Sequence, residues 1–243
     1  MHKTTTIAAV IAAAAAPLAA ASIIDFETTP AGMTPADDAP LSRTTPYAVG
    51  GTSVTFGFDT DSDLVADLDA LFEARGSDGS DGFVSATGSA SDQSEAPGIS
   101  ESLDDWFLRQ PDSLGNVPGD FIIDYSVPVT ALSGQIWDID ANIPDRIEQW
   151  RVSFFDAAGN LISSVDSPAG LDDGDPNTLD SRAWTFTFQN ANSPASTVRI
   201  SNIGNATTIG LAFDNYNATA IPTPASAALA GLAGLTATTR RRR

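Results

Sequence analysis

At 243 residues the chain has room for one large all-β domain with a core able to fold on its own. It has no cysteine and a single histidine, His2, so cysteine nucleophiles, histidine triads and ordinary zinc sites are excluded from the body of the chain. The formal charge of −19 understates the middle, where seven arginines and no lysine face 31 carboxylates lying between Asp25 and Asp214. Such a surface repels nucleic acid and anionic lipid; it attracts cations, or keeps the chain soluble in a salty medium. Catalysis, if any, is left to carboxylates, tyrosine, serine and arginine.

Met1–Ala21 carries a lysine near its start, an apolar run over Ile7–Ala16, Pro17, and small residues including Ala19 and Ala21. A short positive region, an apolar core and small residues at the −3 and −1 positions predict a secretory signal cleaved before Ser22. The apolar run is too short for a spanning anchor. Ser22–Ala220 is then the exported domain, with 77–102 as a Ser-, Gly- and Asp-rich loop or insertion.

Ile23–Glu27 reads as the first strand. Asp25 and Glu27 flank Phe26 and so fall on one face, about 7 Å apart. Ser53–Phe58 is a second strand with Val54, Phe56 and Phe58 on one side. The run Asp59-Thr-Asp61-Ser-Asp63 suggests a calcium loop, but an EF-hand starting there needs Gly and Glu where Leu64 and Ala70 stand. The spacing of Leu64, Val65, Leu68, Leu71 and Phe72 predicts instead a short helix capped by Asp61 or Ser62 and ended by Gly76. Trp106–Arg109 is expected as an edge strand paired with Phe121–Ser126.

Phe121–Val165 is the densest strand region. Phe121–Ser126 and Gln135–Asp140 read as two strands split by Pro128 and Ser133-Gly134. Trp150, Val152 and Phe154 alternate with Arg151 and Ser153, and the Asp156–Asn160 break returns the chain as Leu161–Val165, a hairpin. Trp184, Phe186 and Phe188 alternate likewise; Val198–Ile203 and Ile209–Phe213 close the set. Nine or ten strands, several with one apolar face, predict an all-β fold: two packed antiparallel sheets with one short helical excursion.

The C-terminus, 221–243, holds Pro222, Thr223 and Pro224, an Ala/Leu/Gly segment, and Arg240, Arg241, Arg242 and Arg243. A helix over Ala225–Thr239 is roughly 22 Å long, short for a bilayer core of about 30 Å, with its arginines on the cytoplasmic side. Joined to an N-terminal signal, this tail resembles the PEP-CTERM sorting signal of Gram-negative exported proteins, with Thr223 in place of the family's glutamate. The resemblance implies recognition by the secretion machinery and transient inner-membrane anchoring through the C-terminal helix. It further implies cleavage by an exosortase-like membrane protease and release to the cell surface or exopolysaccharide matrix. The tag fixes a destination and leaves the activity of the exported domain open.

Three groups of residues are candidate sites. Asp25 and Glu27 on the first strand, with Asp214 and Asn215 at the end of the last, offer oxygen ligands for a structural Ca²⁺. The layout resembles jelly-roll carbohydrate-binding modules in outline, where first and last strands pair; the alternative is a solvated sheet edge. Asp138 and Asp140 share a strand face and form either a carboxylate pair of the kind glycosidases use, a metal or ligand site, or a solvated outer surface. Trp106 is the tryptophan expected to be accessible for sugar stacking, while Trp150 and Trp184 are expected in the core. The reading is a non-catalytic surface or matrix protein binding polysaccharide with calcium support. A purely adhesive component and a carboxylate-dependent glycan hydrolase or lyase are the alternatives.

Overall fold

The computed structural model describes residues 23–75, 104–115, 119–137, 139, 141–143, 146–170, 183–206 and 212–220. Within them run thirteen strands: β1 (Pro40–Leu41), β2 (Tyr47–Val49), β3 (Thr52–Asp59), β4 (Ala70–Ala74), β5 (Trp106–Arg109), β6 (Asp120–Trp137), β7 (Ala141–Ile143), β8 (Arg146–Ile147), β9 (Trp150–Phe155), β10 (Leu161–Asp166), β11 (Ala183–Gln189), β12 (Ala195–Asn202) and β13 (Ala212–Ala220). Every pairing is antiparallel. The all-β, sandwich-like prediction holds.

The organising strand is β6, continuous over 18 residues. Its first half pairs with β3 and β12, from Phe58↔Phe121 to Val54↔Tyr125 and from Ile200↔Phe121 to Thr197↔Asp124. Its second half pairs with β11 and β13, at Phe186↔Gly134 and Phe213↔Ile136. One strand therefore joins two layers of a single eleven-stranded sheet. The first layer runs β2-β3-β6-β12-β9-β10 and the second β1-β4-β5-β13-β6-β11, while β7 and β8 pair apart from it. The expectation of two separate strands here is corrected. Pro128 lies where the β12 register shifts and the β3 pairing has ended, so its missing N–H leaves no gap in the ladder. Thr52 Oγ1 occupies the neighbouring position, donating to Val127 O and accepting from Val127 N–H, both at 3.0 Å. Gly134 is not a turn residue. A Cβ there would lie 2.3 Å from the Tyr216 ring, so glycine lets that ring settle against the strand.

Aromatic residues fill the space between the layers. Phe26 meets Phe56 at 5.2 Å and Tyr216 at 5.9 Å edge-on, and Phe121 stacks on Phe213 at 4.3 Å. Each of these residues is under 3% exposed, so the alternation of apolar residues in β3, β6 and β13 translates directly into core. Trp150 is fully buried as expected; Trp184 is half-buried and packs on the core's margin.

Four further expectations are corrected. There is no α-helix among the described residues, and the segment predicted helical after Asp61 is a turn followed by β4. Asp59 explains this: its Oδ1 accepts the N–H groups of Asp61 and Ser62, and its Oδ2 that of Leu64, at 2.7 to 2.9 Å. Side chains that capture local N–H groups compete with helix formation, and Ser62 and Leu64 sit at φ 68° and 71°, outside helical backbone. β5 pairs with β4 and β13 rather than with Phe121–Ser126, whose flanks β3 and β12 already fill. The Ile23–Glu27 segment is a single bridge, Ile24 to Tyr216, because Phe26 turns to φ 56°. Finally, β13 does not end at Asp214-Asn215 but continues to Ala220 through a bulge.

Arg109 ties β4, β5 and the 3-10 turn Asp112–Leu114 together. Its guanidinium donates to Glu73 Oε2 and Asp112 Oδ1, both at 2.6 Å, and to Asp38. The β9–β10 hairpin is as predicted, closed by Asp156 and Gly159.

Candidate metal and ligand sites

The bulge in β13 sets up the first site. Register runs Asp214↔Gln135, then Asn217↔Ser133, with Asn215 at φ 56° on the extra turn of chain. Asparagine tolerates that left-handed backbone better than most residues. Its N–H donates to Asp214 Oδ1 at 2.7 Å, and its side-chain amide to Asp214 Oδ2 at 3.2 Å and Gln135 Oε1 at 2.9 Å. The Ile24–Tyr216 bridge brings the N-terminal segment against this bulge. There Asp25 Oδ1 accepts the Glu27 N–H at 3.2 Å, and Glu27 Oε1 accepts the Trp106 N–H at 2.9 Å.

Asp25, Glu27, Asp214 and Asn215 thus share one neighbourhood, and Asp104 joins them. Asp214 is fully buried. Burial pushes its carboxyl well above the usual range, and the charges acting on it, Asp104, Asp25 and Glu27, all raise it further. Glu27 is also raised, by burial first and by Asp105 and Asp104, against the backbone N–H groups that stabilise its charge. Sequence spacing could pair the first and last strands, but Asp104 and Gln135 were not foreseen. Neither carries a motif; β5 and β6 deliver them.

A second group was missed. Among the described residues, one carboxylate triad has its ligand atoms within 4.8 Å of one another: Asp59, Asp61 and Asp67. Three such oxygens could hold a metal ion. The Asp59–Asp63 run was a visible signal, and it does not make an EF-hand. The third ligand is supplied by the chain's return: Thr60 donates to Asp67 Oδ2 through N–H at 3.0 Å and hydroxyl at 2.6 Å. Those bonds hold the Asp67 carboxyl below its ordinary range, while Asp63 raises that of Asp61.

Trp106 is half-buried with its ring packed on the core, so it presents only part of a stacking surface. Asp138 and Asp140 lie outside the described residues, as do the predicted signal segment with Ala19 and Ala21, the 77–102 insertion, and the C-terminal segment with Pro222, Thr223, Pro224 and Arg240–Arg243. No helix among the described residues is long and apolar enough to cross a membrane.

The described structure is an antiparallel, sandwich-like all-β fold with one close carboxylate triad, Asp59, Asp61 and Asp67, and a buried Asp214 among acidic neighbours whose oxygens do not gather as closely. No family model matches the chain, and no curated protein matches it either. Among solved structures it is similar to the enzymatically active domain of tailspike protein 4 from bacteriophage CBA120 (12% identity, TM-score 0.27), covering 70% of this chain and 18% of that one. It is also similar to a cleaved adhesin domain of Lys-gingipain from Porphyromonas gingivalis (11% identity, TM-score 0.27), covering 70% of this chain and 84% of that one. Likenesses this slight assign neither a family nor an activity.

Proposed function

We propose that this protein is a non-catalytic component of the cell surface or extracellular matrix, exported by its N-terminal signal and sorted through its PEP-CTERM-like tail. In this reading a calcium ion held by Asp25, Glu27, Asp214 and Asn215 fastens the N-terminal segment to β13, and the sandwich so stabilised binds polysaccharide. The observation that carries the calcium site is Asp214, a fully buried carboxyl set among acidic side chains, with Asn215 donating to both of its oxygens. Burial and those neighbours oppose its ionised form, which a bound cation would restore, and hard oxygen donors from Asp, Glu and Asn suit Ca²⁺. The body of the chain has no lysine and only seven arginines to offer instead.

The test is thermal unfolding of the full chain in calcium and in chelator. A site filled at about a hundred times its dissociation constant adds about 2.7 kcal/mol. The expected result is a rise of several degrees in calcium that Asp214→Asn removes. The Asp59–Asp61–Asp67 triad is the second candidate holder of the same ion, favoured by its close oxygens. If Asp61→Asn abolishes the shift and Asp214→Asn does not, the ion belongs to the triad. No shift in either protein would leave the acidity as a solubility feature and the purely structural role ahead. Saturable retention on a polysaccharide panel separates glycan binding from simple adhesion.

A further inference from the structure

Among the strands whose burial is described, β10 is the most open. It pairs with β9 on one side, and among the described residues no strand pairs with its other side. Five of its six residues are exposed; Ile162 alone is half-buried, and Leu161 and Val165 are 59% and 36% exposed. Exposed edges of this kind are usually blunted by proline, lysine or inward charge. Here the sequence is Leu-Ile-Ser-Ser-Val-Asp, its one charge at the end. That charge is neutralised, because Arg151 holds both oxygens of Asp166 at 2.7 and 2.8 Å.

The direction of the backbone groups follows from the ladder. Ser167 N–H donates to Trp150 O at 2.7 Å, one residue beyond the Asp166↔Arg151 pair. Antiparallel pairs alternate between bonded and non-bonded, so Val165 and Ser163 turn their backbone toward β9. Ser164 and Asp166 turn theirs to the open side.

We propose that β10 is a self-association edge, pairing antiparallel with β10 of a second copy across a two-fold axis through Ser164, so that the first layer continues from one molecule into the other. A two-fold that preserves the sheet faces sets Ser164 opposite the same serine of the second copy and Ser163 opposite its Val165. The two serines exchange both edge hydrogen bonds. Charge does not oppose a second copy at this edge, acidic as the chain is. The two Asp166 residues, each two positions from the axis, stand roughly 13 Å apart along the strands, beyond a Debye length of about 8 Å, and each carries its own arginine. An acidic foreign segment would gain nothing from such an edge, and a basic one would find no free carboxylate on it.

Sedimentation equilibrium of the full chain, from micromolar to near-millimolar concentration, tests this. The expected result is a reversible monomer–dimer equilibrium. Ser164→Pro removes the edge N–H without touching the β9 ladder, and Ser164→Glu sets two carboxylates facing each other at the axis. Each should weaken association roughly tenfold or more while the monomer's thermal midpoint stays within a few degrees of the parent's. A wild type monomeric throughout overturns the proposal and leaves the edge to an extended segment of another protein. A dimer that survives both substitutions overturns it as well, because the contact is then elsewhere.

Discussion

Gly50 shows how much one residue can determine. It and Gly51, at φ 53° and 85°, form the two-residue turn joining β2 to β3, and a Cβ on Gly50 would lie 1.7 Å from Ala218 O. Gly50→Ala combines a left-handed backbone penalty of about 1–2 kcal/mol with a backbone clash. We expect a loss of at least about 2 kcal/mol in urea unfolding, against only the backbone penalty of about 1–2 kcal/mol for alanine at Gly32, whose φ is 75° but where nothing lies within 4 Å of the added carbon. Asp214 makes a prediction about pH. Its carboxyl is raised in the folded protein, so its contribution is fully present below the unfolded value near 3.9 and is lost as pH rises through the folded value. In chelator the melting temperature should therefore fall as pH rises above about 4, and calcium should restore it. A chelator profile that Asp214→Asn leaves unchanged would count against that assignment. Asp214 stands out in the sequence by its place beside a strand's apolar run. That it would be entirely buried was not legible, because the burial comes from the N-terminal segment folding back through a single bridge.

Among elements, β4 and β5 depend on Arg109, which is 14% exposed, while the Glu73 side chain it meets is 2% exposed. Removing the guanidinium leaves a buried carboxylate without its counter-ion, which costs about 3–5 kcal/mol in comparable pairs. Arg109→Ala should lower the melting temperature by roughly 6–12 °C or more, and Glu73→Leu added to it should recover part of the loss. Strands whose apolar residues alternate were legible: Val54, Phe56 and Phe58, or Trp150, Val152 and Phe154, are all buried where the pattern puts them. Two errors had one cause. Proline and glycine in β6 looked like breaks, and apolar spacing after Asp61 looked like a helix. In both cases side-chain partners that apolar spacing does not register decide the backbone: Thr52 and Tyr216, distant in sequence, in one, and the neighbouring Asp59 carboxylate in the other.

At the scale of the whole molecule, charge is the quantity to vary. With seven arginines against 31 carboxylates in its body, the folded chain repels itself. Monovalent salt raised from low to near-molar concentration should increase the melting temperature in chelator, and less so once calcium is bound. A flat response would mean that the carboxylates are too widely spread to matter. The acidic surplus was plain in the composition, whereas the meeting of Asp25, Glu27, Asp104 and Asp214 in one place is a product of the fold. β6 has a mechanical consequence too. The last described residue, Ala220, ends β13, which lies along the far half of β6, and the near half of β6 anchors the opposite layer. A pull on the C-terminal end runs along β13, so its bonds to β6 are loaded together in shear rather than peeled one by one. The strain then passes through continuous backbone into both layers. A chain held by its tail would resist tension as one body until those bonds fail together.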